Sequence, residues 1–449
     1  MKRQLLILLA AAFAPVAVAQ EKPVHDYGDF TVDAHVRAFG EARTGLGTLS
    51  DGSAASKLYA SDRVRLSVGW ERKNISMKIA AQHTGNWENR AQKNSWGKIA
   101  LHEAWAKMTF GKGFFVQIGR QELSYDDERL FGNHDWAPTG RAHDALRVGW
   151  GNAKHQVHAI ASFNQTAEVA DDTNLGTATS DRKLYKNMQT LWYHFGANQS
   201  PFQISALFSN QGVSDIRKDS VRYMQTFGVY MSYAKRKISA DASLYYQIGR
   251  DRTGADIRAF MMSANFGWQF VPKCKVTIGD DYLSGSDGMP GTNRTFNLLY
   301  GSHHKFFGAM DNFAYNSVPL YGLNDAHAIF DIKCCPKFDM SVSYHWLATG
   351  RPVNDYLNDG GPRLTDPELI AKMRNYNGKF RYTQNLGHEL DLQACYRPWT
   401  FVTIQAGYSM MVTSETTQLL KGMNMKKVLN SAWICFDINP TIFSTRHRR

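Results

Sequence analysis

The residue types best suited to chemistry concentrate in one segment, residues 119–147. Three consecutive acids, Asp126, Asp127 and Glu128, lie there among four arginines. Two carboxylates can cleave a glycosidic bond, but only when they lie about 5–10 Å apart. Adjacent residues in a strand or turn rarely reach that separation, so ion pairing with the neighbouring arginines is the better interpretation. The four arginines are Arg120, Arg129, Arg141 and Arg147.

Other patterns that carry catalysis do not occur in the sequence. His102-Glu103 lacks the second histidine of a zinc protease helix, and the adjacent His303 and His304 would point apart in an extended chain. There is no Gly-x-Ser-x-Gly elbow, phosphate loop or dinucleotide motif. The five cysteines match neither a metal site nor a disulfide framework. We therefore expect no enzyme activity, no catalytic residue, no cofactor and no metal ligand.

The elements that must position the charged residues are β-strands, because the dominant sequence period is two. For example, Val64, Leu66 and Val68 alternate with Arg63 and Arg65. After the N-terminus no run of eighteen apolar residues occurs, which excludes a membrane-spanning helix. Short and long connections alternate along the chain. The sequence predicts an all-β fold, a single transmembrane antiparallel β-barrel of about 18 strands (16–18) with short periplasmic turns and long extracellular loops.

The N-terminus predicts export from the cytoplasm. Lys2 and Arg3 precede an apolar run, residues 5–14, and Ala17-Val18-Ala19 forms a small-x-small cleavage site. The apolar run is too short to span a bilayer. We expect residues 1–19 to be a cleaved signal peptide and residues 20–449 to form a barrel in the cell outer membrane.

Composition is compatible with a membrane barrel and with an anionic partner. Mean hydropathy is -0.41, a value that barrels share with soluble proteins because half of each strand faces water. Aromatic residues make up 12% of the chain, enough to supply girdles at both membrane interfaces. The net charge is +12, or +10 without Lys2 and Arg3. A basic exported chain suits lipopolysaccharide or an acidic polysaccharide, and makes nucleic acid a poor partner.

The polar strand faces predict a pore wall of mixed charge. If these faces look inward, the wall contains six basic and seven acidic side chains. The positive net charge must then lie largely in turns, loops and the tail, so composition alone does not establish an anion-selective lumen. The bases are Arg37, Arg63, Arg65, Lys78, Lys107 and Lys237, and the acids are Asp33, Glu103, Asp241, Asp339, Glu389, Asp391 and Asp437.

Residues 119–147 also resemble the signature of the alginate-export family of outer-membrane β-barrels. Weaker similarity extends over residues 101–110, 281–285, 298–313 and 386–392. The resemblance implies a pore that exports an acidic polysaccharide such as alginate. The signature positions are Gly119-Arg120-Gln121, Asp127-Glu128-Arg129-Leu130, Trp136, Gly140-Arg141 and Asp144. The resemblance implies that the selectivity path contains Arg120, Asp127, Glu128, Arg129, Arg141 and Asp144. The strand alternation, which directs the polar face of each strand inward, adds Arg37, Arg63 and Arg65.

Arg120 raises a geometric problem within this signature. Because Ile118 and Arg120 share one strand face, strict alternation would aim Arg120 at lipid, at a cost of a few kcal/mol. Either Gly119 marks a bulge that turns Arg120 inward, or the strand has left the membrane at this point. We adopt the first hypothesis, in which Arg120 reaches the pore together with Arg129 and Arg141.

The leading functional hypothesis is an outer-membrane channel through which polar solutes, anionic or saccharide-like, cross by diffusion. The alternative is a non-conducting barrel whose loops plug the lumen and which serves adhesion or envelope structure. An outer-membrane enzyme is the third hypothesis. The expected partners are the lipid bilayer and lipopolysaccharide, the solute, and the barrel-assembly machinery.

Overall fold

The computed structural model describes most of the chain between Tyr27 and Arg446. The predicted signal peptide lies outside the described residues. Among the residues described, no helix combines the length and apolarity that crossing a membrane requires. The described residues are 27–44, 57–87, 99–164, 185–196, 200–216, 220–286, 291–313, 320–352, 384–414, 416–417, 420 and 428–446.

Within these residues the chain forms twenty β-strands of one sheet. They are β1 Asp29–Thr44, β2 Lys57–Arg72, β3 Ile75–Asn86, β4 Ile99–Phe110, β5 Phe114–Gln121, β6 His143–Gly151, β7 His155–Phe163, β8 Asn187–Phe195, β9 Phe202–Ser214, β10 Val221–Lys235, β11 Ile238–Arg250, β12 Asp256–Val271, β13 Cys274–Leu283, β14 Thr292–Asn293, β15 Leu323–Cys335, β16 Phe338–Ala348, β17 Asn385–Trp399, β18 Val402–Thr413, β19 Val428–Ile438 and β20 Thr441–Ser444.

All of these strands except the short β14 and β20 form a closed antiparallel barrel of 18 strands, which confirms the predicted fold class. Consecutive barrel strands pair with each other, and β1 pairs with β19 as well as with β2, which closes the ring. β14 adds to β12 in parallel, and β20 adds to β1. Closure leaves no unpaired edge in the membrane, where an unbonded backbone group would be costly.

The sequence alternation separates a lipid face from a lumen face. On β2, Val64 and Leu66 are exposed on the outer surface, whereas Arg63 and Arg65 are buried on the inner side. The same division recurs around the barrel, with exposed residues such as Phe227 and Tyr246 paired on the outside. A polar inner face and an apolar outer face are the arrangement that a water-filled or plugged barrel in a bilayer requires.

One end of the barrel carries short turns, and these turns are basic. Lys73 and Lys112 lie in the tight turns after β2 and β4. Lys237, which parity placed on the pore wall, instead lies exposed in the turn between β10 and β11. That prediction was wrong because it extended the alternation of β11 back to Lys237, one residue before the strand begins. The other exposed bases at these strand ends and turns are Arg72, Lys154, Lys235, Arg236, Lys273, Lys333, Lys337 and Arg397.

Two long connections fold back into the barrel, and we call them inner loop A (residues 122–142) and inner loop B (residues 294–313). They pair through a parallel bridge between Phe131 and Tyr300. The amide of Gly132 donates to the Tyr300 carbonyl at 2.9 Å, and the amide of Ser302 donates to the Glu128 carbonyl at 2.9 Å. The two loops therefore form one unit inside the lumen.

This unit has an apolar core shared with the barrel wall. Phe131 and Leu123 of inner loop A and Met310 of inner loop B are almost completely buried. They belong to one cluster with wall residues such as Met188 and Met261. Burial of side chains of this size contributes roughly 1.5–3 kcal/mol each, so the loops are held in the lumen by packing as well as by charge.

Gly119 lies within β5 and has a positive φ of 118°, a backbone conformation that glycine adopts readily and other residues rarely adopt. It pairs with Trp105 on β4 and Ala145 on β6 without a shift of register. The bulge that we expected at Gly119 is therefore absent from β5. The nearby register shift lies in β4, where His102 is the extra residue.

Replacing Gly119 with alanine is expected to destabilise the barrel by roughly 2–4 kcal/mol. The reason is that alanine rarely adopts a positive φ and that its Cβ would clash with the backbone of β4. A Cβ at this position would lie 2.2 Å from the Ala104 carbonyl oxygen. Denaturant unfolding followed by tryptophan fluorescence measures the change. Gly111→Ala is the matched control, because a Cβ there meets no atom within 4 Å among the described residues. Equal stability of the two variants would contradict this explanation of Gly119.

Candidate functional site

Three arginines of the inner wall converge on one carboxylate of inner loop A. Arg37 on β1 lies opposite Arg63 on β2, and Arg65 follows two residues later. The carboxylate is that of Asp135. It lies 2.9 Å from the guanidinium of Arg63, 3.4 Å from that of Arg65 and 3.5 Å from that of Arg37. We call the three arginines the arginine cluster; inward parity predicted each of them.

The arginine cluster is held rigidly. Burial alone would raise the pKa of Asp135, but the guanidiniums of Arg63 and Arg37 outweigh burial and hold that pKa below its ordinary value. Arg63 is fully buried and also donates to the backbone carbonyl of Ala137 at 3.3 Å. Arg37 binds Asp437 on β19 at 2.6 Å. Guanidiniums fixed in this way present N–H groups in a planar fork, which suits carboxylates and phosphates.

Basic and acidic side chains of the inner wall lie mostly on different strands. Five of the six predicted bases lie on β1 to β4, and four of the seven predicted acids lie on β11 to β17. The lumen thus has a basic side and an acidic side, with a transverse field between them. The bases on the first side are Arg37, Arg63, Arg65, Lys78 and Lys107, and the acids on the second are Asp241, Asp339, Glu389 and Asp391. The other three predicted acids lie among the bases, and Asp437 on β19 is paired with Arg37.

Arg129 fastens inner loop A to the acidic side. Its guanidinium lies 2.8 Å from Asp127 of the same loop and 2.8 Å from Asp281 on β13. It also stacks over the ring of Phe306 in inner loop B, at 3.9 Å from the centroid. Burial by itself would lower the pKa of Arg129, but Asp281 and Asp127 raise it above its ordinary value. Arg129 is therefore a permanently charged anchor.

The remaining loop residues of the signature join the two loops to each other. Glu128 adopts a φ of 70° and forms an ion pair with Lys305 of inner loop B. Arg141 donates to the Gly301 carbonyl at 3.0 Å. The structure thus brings Asp127, Glu128, Arg129 and Arg141 together inside the lumen, where they shape the loop unit. Their part in solute selectivity stays a prediction.

Arg120 and Asp144 do not join this group, contrary to our expectation. They pair with each other at 3.0 Å, with side chains 38% and 70% exposed. Each shares its strand face with an exposed apolar residue, Ile118 on β5 and Leu146 on β6. The physical reason is that β5 keeps strict alternation through Gly119, so Arg120 faces outward. Both residues lie at the strand ends that adjoin inner loop A.

Several residues that matter to this site were not singled out in the sequence. Asp135 lies within the signature, between His134 and Trp136, but nothing in its spacing identifies it as the partner of three arginines. Asp281 stands in a segment of family resemblance, 152 residues from Arg129. Asp325, fully buried on β15, has no sequence signal of its own. Contacts between distant strands are what single-sequence patterns do not contain.

Comparison with known proteins gives one family and one fold. The family model described as "Alginate export" matches residues 30–428. No curated protein sequence matches the chain.

Three solved outer-membrane proteins of Pseudomonas aeruginosa illustrate the structural likeness. OpdK has a TM-score of 0.59 at 9% identity, covering 92% of this chain and 98% of its own. OccK9 (OpdG) has a TM-score of 0.60 at 11% identity, with coverage of 91% and 98%. OprD has a TM-score of 0.57 at 11% identity, with coverage of 93% and 94%. At these identities the likeness establishes the barrel fold.

Proposed function

The chain belongs to the alginate-export family, and we propose that it is an outer-membrane channel for the passive passage of anionic, saccharide-like solutes. The substrate that we propose is an acidic polysaccharide of the alginate type, moving outward. The observation that carries this proposal is the arginine cluster, with its three guanidiniums gathered on one side of the lumen. A polymer with a carboxylate on every sugar offers a repeated partner for such groups.

The physical basis is selective attraction on one wall. Basic side chains lining a pore favour anions, and their effect is strongest where water is restricted. Arg37 and Arg65 keep partial access to solvent, whereas Arg63 has none and serves to hold Asp135. The two accessible arginines are therefore the ones that we assign to solute contact. The acidic side of the lumen repels the same solute and directs it to the basic side.

A second candidate, the loop-plugged barrel with an adhesion or envelope-structural role, is favoured by the apolar core of the inner loops. That core joins both loops to wall residues on several strands. In this second function, the firmly held loops leave no continuous water path. Conductance in planar bilayers separates the two functions.

The test uses the purified, folded barrel in a planar lipid bilayer. We expect discrete channel openings, a reversal potential of the anion-selective sign in a salt gradient, and block of the current by oligouronates. Neutral oligosaccharides of the same length are the matched control and should block less. A folded barrel that never conducts would refute the channel function and support the plugged barrel. A cation-selective channel without oligouronate block would refute the proposed substrate.

We also propose the route to this location. Residues 1–19 act as a signal peptide, and the barrel-assembly machinery then inserts the barrel into a membrane that contains lipopolysaccharide. N-terminal sequencing of the mature protein tests the first step, with Gln20 as the expected first residue. Retention of residues 1–19 in the mature barrel would exclude it.

A further inference from the structure

A compact group of two histidines and one aspartate lies on the acidic side of the lumen, apart from the arginine cluster. Asp325 and His327 are neighbours on the inner face of β15, and His345 lies opposite His327 on β16. Both carboxylate oxygens of Asp325 lie 2.9 Å from Nδ1 of His345, and one lies 3.6 Å from Nδ1 of His327. One ligand atom from each residue lies within 4.8 Å of the others. This spacing is suited to three ligands of a single ion.

The hydrogen bonds of His327 determine where its proton lies. Asn265 donates its side-chain N–H to Asp241 at 2.8 Å, so its amide oxygen is the atom that faces His327. That oxygen lies 2.8 Å from Nε2 of His327, which must therefore carry the hydrogen. Nδ1 of a neutral His327 is then a bare lone pair. An amide oxygen behind an imidazole is the usual means of orienting a metal-binding histidine.

The groups that surround this lone pair are hydrogen-bond acceptors. Within the described part of the chain, the recorded contacts of Nδ1 are the Asp325 carbonyl oxygen at 3.2 Å and the Asp325 carboxylate at 3.6 Å. Neither of these groups can donate a hydrogen bond. The arrangement is repulsive unless a cation lies between the groups or a second proton binds His327. The need for a positive charge here is greater because Asp325 is fully buried, so water cannot stabilise its carboxylate.

His345 also turns its second nitrogen toward an oxygen acceptor, at a distance longer than a hydrogen bond. Its Nδ1 faces Asp325, and its Nε2 lies 3.7 Å from a carboxylate oxygen of Asp391 on β17. Each imidazole thus turns one nitrogen toward Asp325 and the other toward an oxygen acceptor behind it. A carboxylate or amide behind each histidine ligand is the outer shell that metal sites of this class require.

We propose that Asp325, His327 and His345 form a binding site for a divalent transition metal such as Zn²⁺. The ligand atoms are Nδ1 of both histidines and a carboxylate oxygen of Asp325, and a water would complete a four-coordinate shell. Two imidazoles favour Zn²⁺ and its neighbours over Mg²⁺ or Ca²⁺, which take oxygen ligands. Asp325 lies directly opposite Asp281, the wall partner of Arg129, so the ion would adjoin the anchor of inner loop A. The proposal does not depend on the transported solute.

The test measures Zn²⁺ binding to the metal-stripped, folded barrel in detergent by calorimetry. We expect one equivalent to bind, and bound Co²⁺ to show the visible absorption of a four-coordinate ion. His345→Gln and Asp325→Asn should each weaken binding by more than about tenfold, as loss of a ligand does. Circular dichroism shows whether each variant keeps its β-sheet, so a folding failure is recognised as such.

His102→Gln is the matched control, because His102 lies near Glu103 and Glu122 in a second histidine-containing group of the wall. This variant should bind Zn²⁺ as the parent protein does. Loss of binding in His102→Gln with retention in His345→Gln would assign the ion elsewhere and overturn the proposal. No binding to the parent barrel would also overturn it.

Discussion

Replacing Arg129 with methionine is expected to release inner loop A from the barrel wall. Methionine keeps much of the volume over Phe306 but leaves Asp127 and Asp281 buried without their cation. Removing one partner of a buried ion pair costs about 3–5 kcal/mol, because the other charge stays uncompensated. The barrel ladder itself does not involve the Arg129 side chain. We therefore expect a folded barrel with mobile inner loops.

Two measurements check this expectation. Limited proteolysis should cut Arg129→Met faster within the inner loops, and planar-bilayer recordings should show larger or noisier currents. Arg120→Met is the matched control from the same signature. Its pair with Asp144 is exposed on the outer wall, and exposed pairs contribute only about 0–1 kcal/mol. If Arg120→Met loosened the loops as much as Arg129→Met does, the anchor assigned to Arg129 would be wrong.

These two arginines show how far the sequence predicts the site. Both belong to one signature, and both were expected at the pore. Strand parity already contained the correct answer for Arg120, since it shares a face with Ile118. The inward bulge was an added assumption, and the unshifted register of β5 with both of its neighbours contradicts it. For a residue within a strand, period two is therefore stronger evidence than membership of a motif.

The barrel was predictable because its signals are local. Alternation fixes the lipid and lumen faces of each strand, and it predicted Arg37, Arg63 and Arg65 on the wall without any knowledge of their neighbours. The inner loops were not predictable in this way. Their position depends on contacts such as Arg129 with Asp281, and Phe131 with Tyr300, across long stretches of chain. No periodicity encodes such pairings, and long loops carry no regular pattern.

The separation of charge across the lumen also depends on the positions of distant strands relative to one another. The predicted wall contains nearly equal numbers of bases and acids, so it appeared mixed along the sequence. Closure of the barrel changes this, because chain order becomes position around a ring. Bases of β1 to β4 and acids of β11 to β17 then occupy different sides, whereas Asp437 on β19 returns to the side of Arg37. A composition count could not show this, whereas a strand-by-strand count on a closed ring could.

Replacing both Arg37 and Arg65 with glutamine is expected to reduce anion preference and to weaken solute block. Arg63 stays to hold Asp135, and His35 stays to pair with Asp437 at 2.9 Å, so the wall keeps its structure. A hydrogen bond to a charged group contributes about 1.5–3 kcal/mol. Loss of two such partners should weaken oligouronate block by at least about tenfold, since 1.4 kcal/mol corresponds to a factor of ten.

Reversal potentials and block titrations in planar bilayers measure both effects. Lys73→Gln combined with Lys112→Gln is the matched control, because it removes the same charge from exposed turns at the barrel end. At about 1 M salt the Debye length is near 3 Å, so those distant charges are screened from the lumen. The control should therefore keep the parent reversal potential and block. Equal losses in both double variants would show that net charge, and not the arginine cluster, sets the preference for anions.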